Sequence, residues 1–174
     1  MGISEKDCAL LEEIQSRALW LAVRMIDHAN HDRVNIDGIK VGGHQASSAS
    51  MSSILTSLYM YHLTAQDRVS VKPHSSPFFH SIQYLLGNLD KKYLTMLRSA
   101  GGLQSYPSRT KDPDIVDFST GSVGLGAAAP LFAGVTRRYV DAHFGARPQS
   151  RFIALIGDAE LDEGNIWEAV ADPA

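Results

Sequence analysis

The first part of the chain carries apolar residues at helical spacing. One face of a helix is filled by Leu10, Leu11, Ile14, Ala18, Leu21, Ala22 and Met25. This pattern predicts a helix from residue 6 to about residue 28, and Ser4 with Asp7 three residues later is a capping signal at its start. The same reasoning predicts helices over residues 47–62, over 77–98 with an interruption near Gly87, and over 123–144.

Two shorter stretches predict strands. The stretch "DRVSVKPH", residues 67–74, is closed by Pro73, which has no N–H to donate to a strand partner. The run "FIALIG" after Arg151 is continuously apolar, and we expect Arg151 to Ile156 to form a central strand that is buried on both faces. Because helices alternate with short strands, the predicted fold class is α/β, with an open, mostly parallel sheet and flanking helices.

Composition and charge narrow the classes of function. The 174 residues are 44% hydrophobic and 20% charged, which is enough apolar material for a packed core. A net charge of -3 gives no reason to expect nucleic acid or an anionic membrane as partner. Cys8 is the only cysteine, so an intrachain disulfide and a thiolate zinc cluster are excluded. No apolar run spans a bilayer and the N-terminus does not resemble a signal peptide, so we expect a cytoplasmic protein.

The stretch "IGDAELDEGN" places carboxylates directly after the apolar run. In an open α/β sheet, ligands bind beyond the carboxyl ends of the strands, and Asp158 stands at that position. A carboxylate there is a hard oxygen ligand for Mg²⁺, which proteins commonly share with substrate phosphates. The alternative is an acidic loop that caps the following helix, where carboxylates are also favoured. The residues alone leave both readings open.

Two further segments have candidate chemistry. The stretch "STGSVGLGAA", residues 119–128, puts glycines and serines before a helix of small residues, which suits an anion at a helix N-terminus or a closely packed helix. His44 in "VGGHQASSAS" and His74 in "VKPHSSP" each follow Gly or Pro in turn-like contexts, and histidine titrates near neutrality. A surface or core role is the alternative for each histidine.

Taken together and in order, these segments resemble thiamine-diphosphate enzymes of the transketolase superfamily, most of all the homodimeric E1 component of pyruvate dehydrogenase. The resemblance is carried by "GGHQASSAS", "HSSP", "GLQSYPS", "STGSVGLGAA" and "GDAELDEGNIWEA", from about residue 32 to residue 168. It implies thiamine diphosphate and Mg²⁺ as cofactors, a 2-oxo acid substrate, a lipoyl-bearing acyltransferase (E2) as partner, and a homodimer or pairing with a missing C-terminal part.

The resemblance also implies roles for individual residues. Asp158 is the expected metal ligand, and His44 and His74 are the expected catalytic residues. The expected cofactor-binding residues are Ser47, His74, Gly124, Leu125, Gly126, Gly157, Asp158, Ala159 and Glu160. The chain departs from the family pattern at Ala159, where Gly is usual, and at Lys72 and Pro73, which replace Gln and Gly before the second histidine.

Other parts of such an enzyme have no match in this chain. The family's metal-binding Asn, its metal-binding carbonyl and the glutamate that activates the aminopyrimidine ring all lie further along the polypeptide. We therefore expect residues 1–174 to be the N-terminal part of a diphosphate-binding domain, incomplete at its C-terminus and inactive alone. The alternatives are a transketolase, which moves a two-carbon unit between sugar phosphates, and a non-catalytic assembly domain that keeps the fold.

Overall fold

The computed structural model describes residues 3–121 and 123–173. In chain order, its helices and strands are α1 (Glu5–Asp27), α2 (Gln45–Ser50), α3 (Ser52–Ser57), β1 (Arg68–Ser70), α4 (Ser76–Leu85), α5 (Leu125–Phe144), β2 (Phe152–Ala154) and α6 (Gly164–Ala171). The two strands pair in parallel, so the predicted α/β class with a small open parallel sheet is confirmed. The chain divides into two compact units.

The first unit comprises residues 1–63, 74–105 and 111–115 and contains α1 to α4. Helix α1 begins where predicted, because the Ser4 hydroxyl accepts a hydrogen bond from the Asp7 N–H at 3.1 Å. Its buried face is Ala18, Ala22, Met25 and Ile26. Met25 and Ile26 belong to a core cluster completed by Ala29, Leu89, Leu97 and Leu103. This unit therefore has its own apolar core.

The predicted helix over residues 47–62 is wrong as a single element. It is divided at Met51 into α2 and α3, and a π-helical turn, Leu58–His62, follows. The Ser50 hydroxyl donates to the Ser47 carbonyl at 2.9 Å and the Ser52 hydroxyl to the Ala49 carbonyl at 2.8 Å. Serine hydroxyls that bond to nearby backbone compete with the helical hydrogen bonds, which explains a break that apolar spacing does not reveal.

The predicted interruption near Gly87 is confirmed, and the predicted continuation of the helix to residue 98 is wrong. Helix α4 ends at Leu85, and Gly87 has a φ of +81°. Beyond it the chain forms a 3-10 turn, Lys91–Thr95, and no α-helix continues to residue 98. Eight of the ten residues of α4 are buried, so this helix lies within the core of its unit.

The second unit comprises residues 64–73, 106–110 and 116–174 and contains the sheet, α5 and α6. The strands pair as Arg68 with Phe152, Val69 with Ile153 and Ser70 with Ala154. Asp67 links the starts of the two strands. Its carboxylate accepts hydrogen bonds from the Arg151 backbone N–H at 2.7 Å and from the Arg151 side-chain Nη2 at 2.6 Å. This charged pair joins segments that are 84 residues apart.

The prediction of a central, fully buried strand at 151–156 is wrong. In a sheet of two strands, β2 pairs with β1 alone among the described residues, and it is therefore an edge strand. Phe152 and Ile153 are half-buried and Ala154 is exposed. An apolar run indicates burial somewhere, and it does not give the number of neighbouring strands. None of the helices in the described part of the chain could span a bilayer.

Candidate functional site

Two histidines meet in the first unit. His44 precedes α2 as its N-cap residue, and His74 lies in the 3-10 turn Pro73–Ser75 before α4. Their ring centroids are 4.3 Å apart and the ring planes are inclined by 32°. The two histidine residues that the sequence singled out, 30 positions apart in the numbering, are therefore brought into ring contact by the fold.

The glycines before His44 determine how its backbone enters the helix. Gly42 and Gly43 have φ values of +87° and +118°, a region that residues with a side chain rarely adopt. A Cβ on Gly43 would be 3.0 Å from Ile26 side-chain carbons, and one on Gly42 would meet the Arg98 guanidinium. The glycine pair thus lets the chain pass close to α1 and to Arg98.

The electrostatic environment favours the neutral form of His44. Partial burial lowers the pKa of His44 from its ordinary value, and the neighbouring His74 and Arg98 lower the pKa further. A neutral imidazole at neutral pH can accept a proton. Ser47, on the first turn of α2, adds a buried hydroxyl that has no hydrogen-bond partner among the described residues.

The glycine-rich segment lies at the N-terminus of α5 in the second unit. Gly124 caps the helix with a left-handed φ of +77°, and a Cβ at this position would collide with the Asn165 side-chain oxygen of α6. Leu125 is 58% exposed, whereas Gly124 and Gly126 are buried. Ser122, between the glycines of this segment, is outside the described residues.

The Ser70 hydroxyl and the Thr120 methyl group lie against the start of α5. A Cβ on Gly126 would be 3.0 Å from Ser70 Oγ and 3.2 Å from Thr120 Cγ2. The hydroxyls of Ser70 and Thr120 are buried and have no hydrogen-bond partner among the described residues. The sequence prediction did not include these two residues. The signal for Ser70 was its polar side chain between Val69 and Val71 at the end of a strand.

The acidic turn follows β2 as predicted. Its 3-10 turn, Asp158–Asp162, begins after the buried Gly157, and Asp158 and Ala159 are exposed. The Glu160 carboxylate accepts a hydrogen bond from the Gly157 N–H at 2.7 Å, and its other oxygen is buried without a partner among the described residues. The Glu160 N–H donates to the Gly157 carbonyl at 3.1 Å. Both backbone N–H groups are therefore used inside the turn.

These residues fit an anionic ligand better than a metal ion bound by protein alone. The N-terminus of a 20-residue helix, the Ser70 and Thr120 hydroxyls and a side-chain-free Gly126 are groups that accommodate phosphate oxygens. Across residues 3–121 and 123–173, no group of three His, Cys, Asp or Glu side chains is arranged to hold a metal. Asp158 alone suits Mg²⁺ only where phosphate oxygens and water complete the shell.

Comparison with known proteins finds relatives with two kinds of name. No protein-family model matches it. The pyruvate dehydrogenase E1 component of Cupriavidus necator is 32% identical over 160 residues, which are 86% of this chain and 17% of that protein. The E1 component of Escherichia coli is 28% identical over 165 residues, 88% of this chain and 18% of that protein.

Another relative has a different name. Transketolase-like protein 2 of Mus musculus is 29% identical over 140 residues, 74% of this chain and 21% of that protein. The chain spans about a fifth of the length of the curated relatives it matches. The resemblance predicted from the motifs, to pyruvate dehydrogenase E1 components and transketolase-like proteins, is confirmed.

Proposed function

We propose that this chain is the N-terminal, diphosphate-binding part of a thiamine-diphosphate-dependent 2-oxo acid dehydrogenase, and that pyruvate is its substrate. The observation that carries the proposal is the similarity to a relative named pyruvate dehydrogenase E1 component over 86% of the chain. A lipoyl-bearing acyltransferase is the proposed acceptor of the acyl group. The proposed assembly is a homodimer or a pair with the remaining part of the enzyme.

The proposed diphosphate site belongs to the second unit. Gly124, Leu125 and Gly126 lie along the cofactor, and Gly157, Asp158, Ala159 and Glu160 hold its diphosphate end. The unpartnered hydroxyls of Ser70 and Thr120 support this assignment, since they are donors for phosphate oxygens. Asp158 is the proposed ligand of Mg²⁺. When bound, thiamine diphosphate supplies a carbon nucleophile that stores the electron pair released as carbon dioxide leaves.

The proposed proton transfers belong to the histidines of the first unit. His44 is mostly neutral at physiological pH because its pKa is lowered, so it accepts a proton without prior deprotonation. His74, in ring contact with His44, donates or receives the second proton and also contacts the cofactor. Ser47 contributes its hydroxyl to cofactor binding. These roles need only the imidazole nitrogens and one hydroxyl of this chain.

A second candidate is transfer of a two-carbon unit between sugar phosphates. It is favoured by the similarity to transketolase-like protein 2 over 74% of the chain. The two candidates differ in the second substrate, which is a lipoyl group in one and a sugar phosphate in the other. Product analysis of the complete enzyme with pyruvate and with a sugar phosphate, each supplied with the appropriate acceptor, distinguishes them. A non-catalytic assembly domain would bind no thiamine diphosphate.

Two exposed acids of the same turn provide the test of the metal assignment. In the complete enzyme, Asp158→Ala is expected to weaken Mg²⁺-dependent thiamine diphosphate binding by about tenfold or more, because it removes the only protein carboxylate proposed for the metal. Asp162→Ala is the matched control, with the same loss of charge four residues later, and its dissociation constant is expected to change by less than about threefold. Calorimetry up to millimolar cofactor measures both, and equal constants contradict the assignment.

A further inference from the structure

Lys72 follows β1 and lies against the glycine that precedes the acidic turn. A Cβ built on Gly157 would be 3.1 Å from Lys72 Cε and 3.6 Å from its Nζ. Gly157 is buried and Lys72 is half-buried. The absence of a side chain at residue 157 therefore leaves the space that the end of the lysine side chain fills.

The Glu160 carboxylate flanks the same glycine. Its Oε2 would be 3.6 Å from that Cβ position, and the same oxygen accepts the Gly157 N–H at 2.7 Å. Its Oε1 is buried without a hydrogen-bond partner in the described part of the chain. An ammonium group and a carboxylate group thus stand beside one glycine, just beyond the carboxyl end of β2. Such a position is where open α/β sheets bind ligands.

The lysine changes the charge of this position. The family pattern that the chain resembles has a neutral glutamine where Lys72 stands. A lysine ammonium is a phosphate ligand in its own right, and it does not require the near-octahedral shell that Mg²⁺ demands. Lys72 therefore brings a positive charge of the protein itself to within 3.6 Å of the Cβ position of Gly157.

Building on the function proposed above, we propose that Lys72 binds a phosphate oxygen of the diphosphate group at Gly157 and supplies part of the positive charge otherwise supplied by a divalent metal. The consequence is a diphosphate site with reduced dependence on Mg²⁺. Lys72 is a specificity-determining residue in this site, because it selects a multiply charged anion without a metal. A neutral glutamine at position 72 could not have this role, and the assignment of Asp158 as metal ligand does not include it.

The test uses inorganic pyrophosphate as the probe, titrated calorimetrically into the chain in the presence of EDTA. The wild-type chain is expected to bind pyrophosphate, and Lys72→Gln is expected to weaken this binding by about tenfold, the loss of one hydrogen bond to a charged group. Lys72→Arg keeps the charge and is expected to retain most of the affinity. Lys91→Gln, at an exposed lysine of the other unit, is the matched control and is expected to bind as wild type.

Titrations in the presence of Mg²⁺ distinguish phosphate binding by Lys72 from a merely structural role of this residue. Excess Mg²⁺ is expected to narrow the gap between Lys72→Gln and wild type, since the metal replaces the missing charge. Pyrophosphate binding that is absent from wild type in EDTA, or equal in wild type and Lys72→Gln, overturns the proposal. If Lys72→Gln does not fold, the ¹³C-methyl resonance of dimethylated Lys72 in the wild-type sequence must shift with pyrophosphate, and an unchanged resonance overturns it as well.

A parallel titration with thiamine diphosphate separates this inference from the proposed function. Lys72-dependent pyrophosphate binding without competition from thiamine diphosphate supports the role of Lys72 and contradicts the cofactor assignment. Mg²⁺-dependent thiamine diphosphate binding that is the same in wild type and Lys72→Gln, with and without EDTA, supports the cofactor assignment and contradicts the role of Lys72.

Discussion

Helices α4 and α5 each begin beside a candidate site, yet they are embedded in opposite ways. In α4, which follows His74, eight of ten residues are buried. In α5, which follows the glycine-rich segment, the buried residues are Gly126, Ala128 and Pro130 of twenty. The histidine segment is therefore fixed by large side chains in a core, whereas the glycine-rich segment is fixed by small residues in close backbone contact.

This difference has consequences for stability. A helix buried on most sides loses many contacts when one of its side chains is truncated, while a helix that exposes large residues loses few. Phe132, Tyr139 and Phe144 of α5 are 49%, 58% and 72% exposed. Regions with few buried contacts open with lower free energies than core helices. The two candidate sites are thus expected to differ in the stability that a mutation removes, in their response to acid and in the free energy of local opening.

The largest effect is expected from Phe79→Ala in α4. Phe79 is 1% exposed, and truncation leaves a cavity, so the free energy of unfolding should fall by about 3–5 kcal/mol. Phe132→Ala in α5 removes a phenylalanine side chain that is 49% exposed, and the free energy of unfolding should change by about 0.5 kcal/mol or less. Urea denaturation followed by circular dichroism measures both. Equal losses would show that the two helices are not embedded differently.

A smaller loss of stability is expected when the aspartate that pairs with a side chain of each helix is removed. His80 of α4 contacts Asp114 Oδ2 through Nδ1 at 2.6 Å, and both side chains are 0% exposed. Asp114→Ala leaves His80 without this partner and should cost about 2–3 kcal/mol. On α5, Arg137 and Asp141 form a half-buried pair at 2.9 Å, and Asp141→Ala should cost about 0.5 kcal/mol. Thermal melts of both variants test the ranking, which an inverted order would refute.

The smallest effect is expected in the acid dependence of stability that Asp67 gives to the sheet beside α5. Hydrogen bonds from the Arg151 side chain, then from the Thr64 N–H, hold the pKa of Asp67 well below its ordinary value. Because the folded-state pKa is depressed, the stabilisation is complete above the unfolded value of about 4 and is lost as the pH falls below it. The Arg151 side chain is 52% exposed, so water weakens the pair.

Asp67→Asn is expected to flatten the fall of the melting temperature between about pH 4 and pH 2, since it removes a group that titrates differently in the folded and unfolded states. Asp162→Asn, at an exposed acid of the same unit, is the control and should keep the wild-type acid dependence. A series of thermal melts from neutral to acidic pH measures the slopes. An unchanged slope in Asp67→Asn would show that this carboxylate does not link the sheet to pH.

Local signals in the sequence were sufficient for several elements. The Ser4 cap and the apolar face predicted α1, and Gly87 predicted the interruption that follows α4. Each signal depends on residues within one or two turns of one another, and such short-range preferences are expressed in the backbone directly. The five motifs taken in order were likewise sufficient to predict the family resemblance that the relatives confirm.

The tertiary structure decided what separated residues do to one another. The fold brings together residues that are far apart in the chain. Examples are the ring contact of His44 with His74, the pair of His80 with Asp114, and the end of the Lys72 side chain against Gly157. It also decided that β2 is an edge strand and that serine hydroxyls divide the second predicted helix at Met51. Apolar periodicity encodes which face of an element is buried. It does not encode which distant side chain covers that face, because that choice is made by packing.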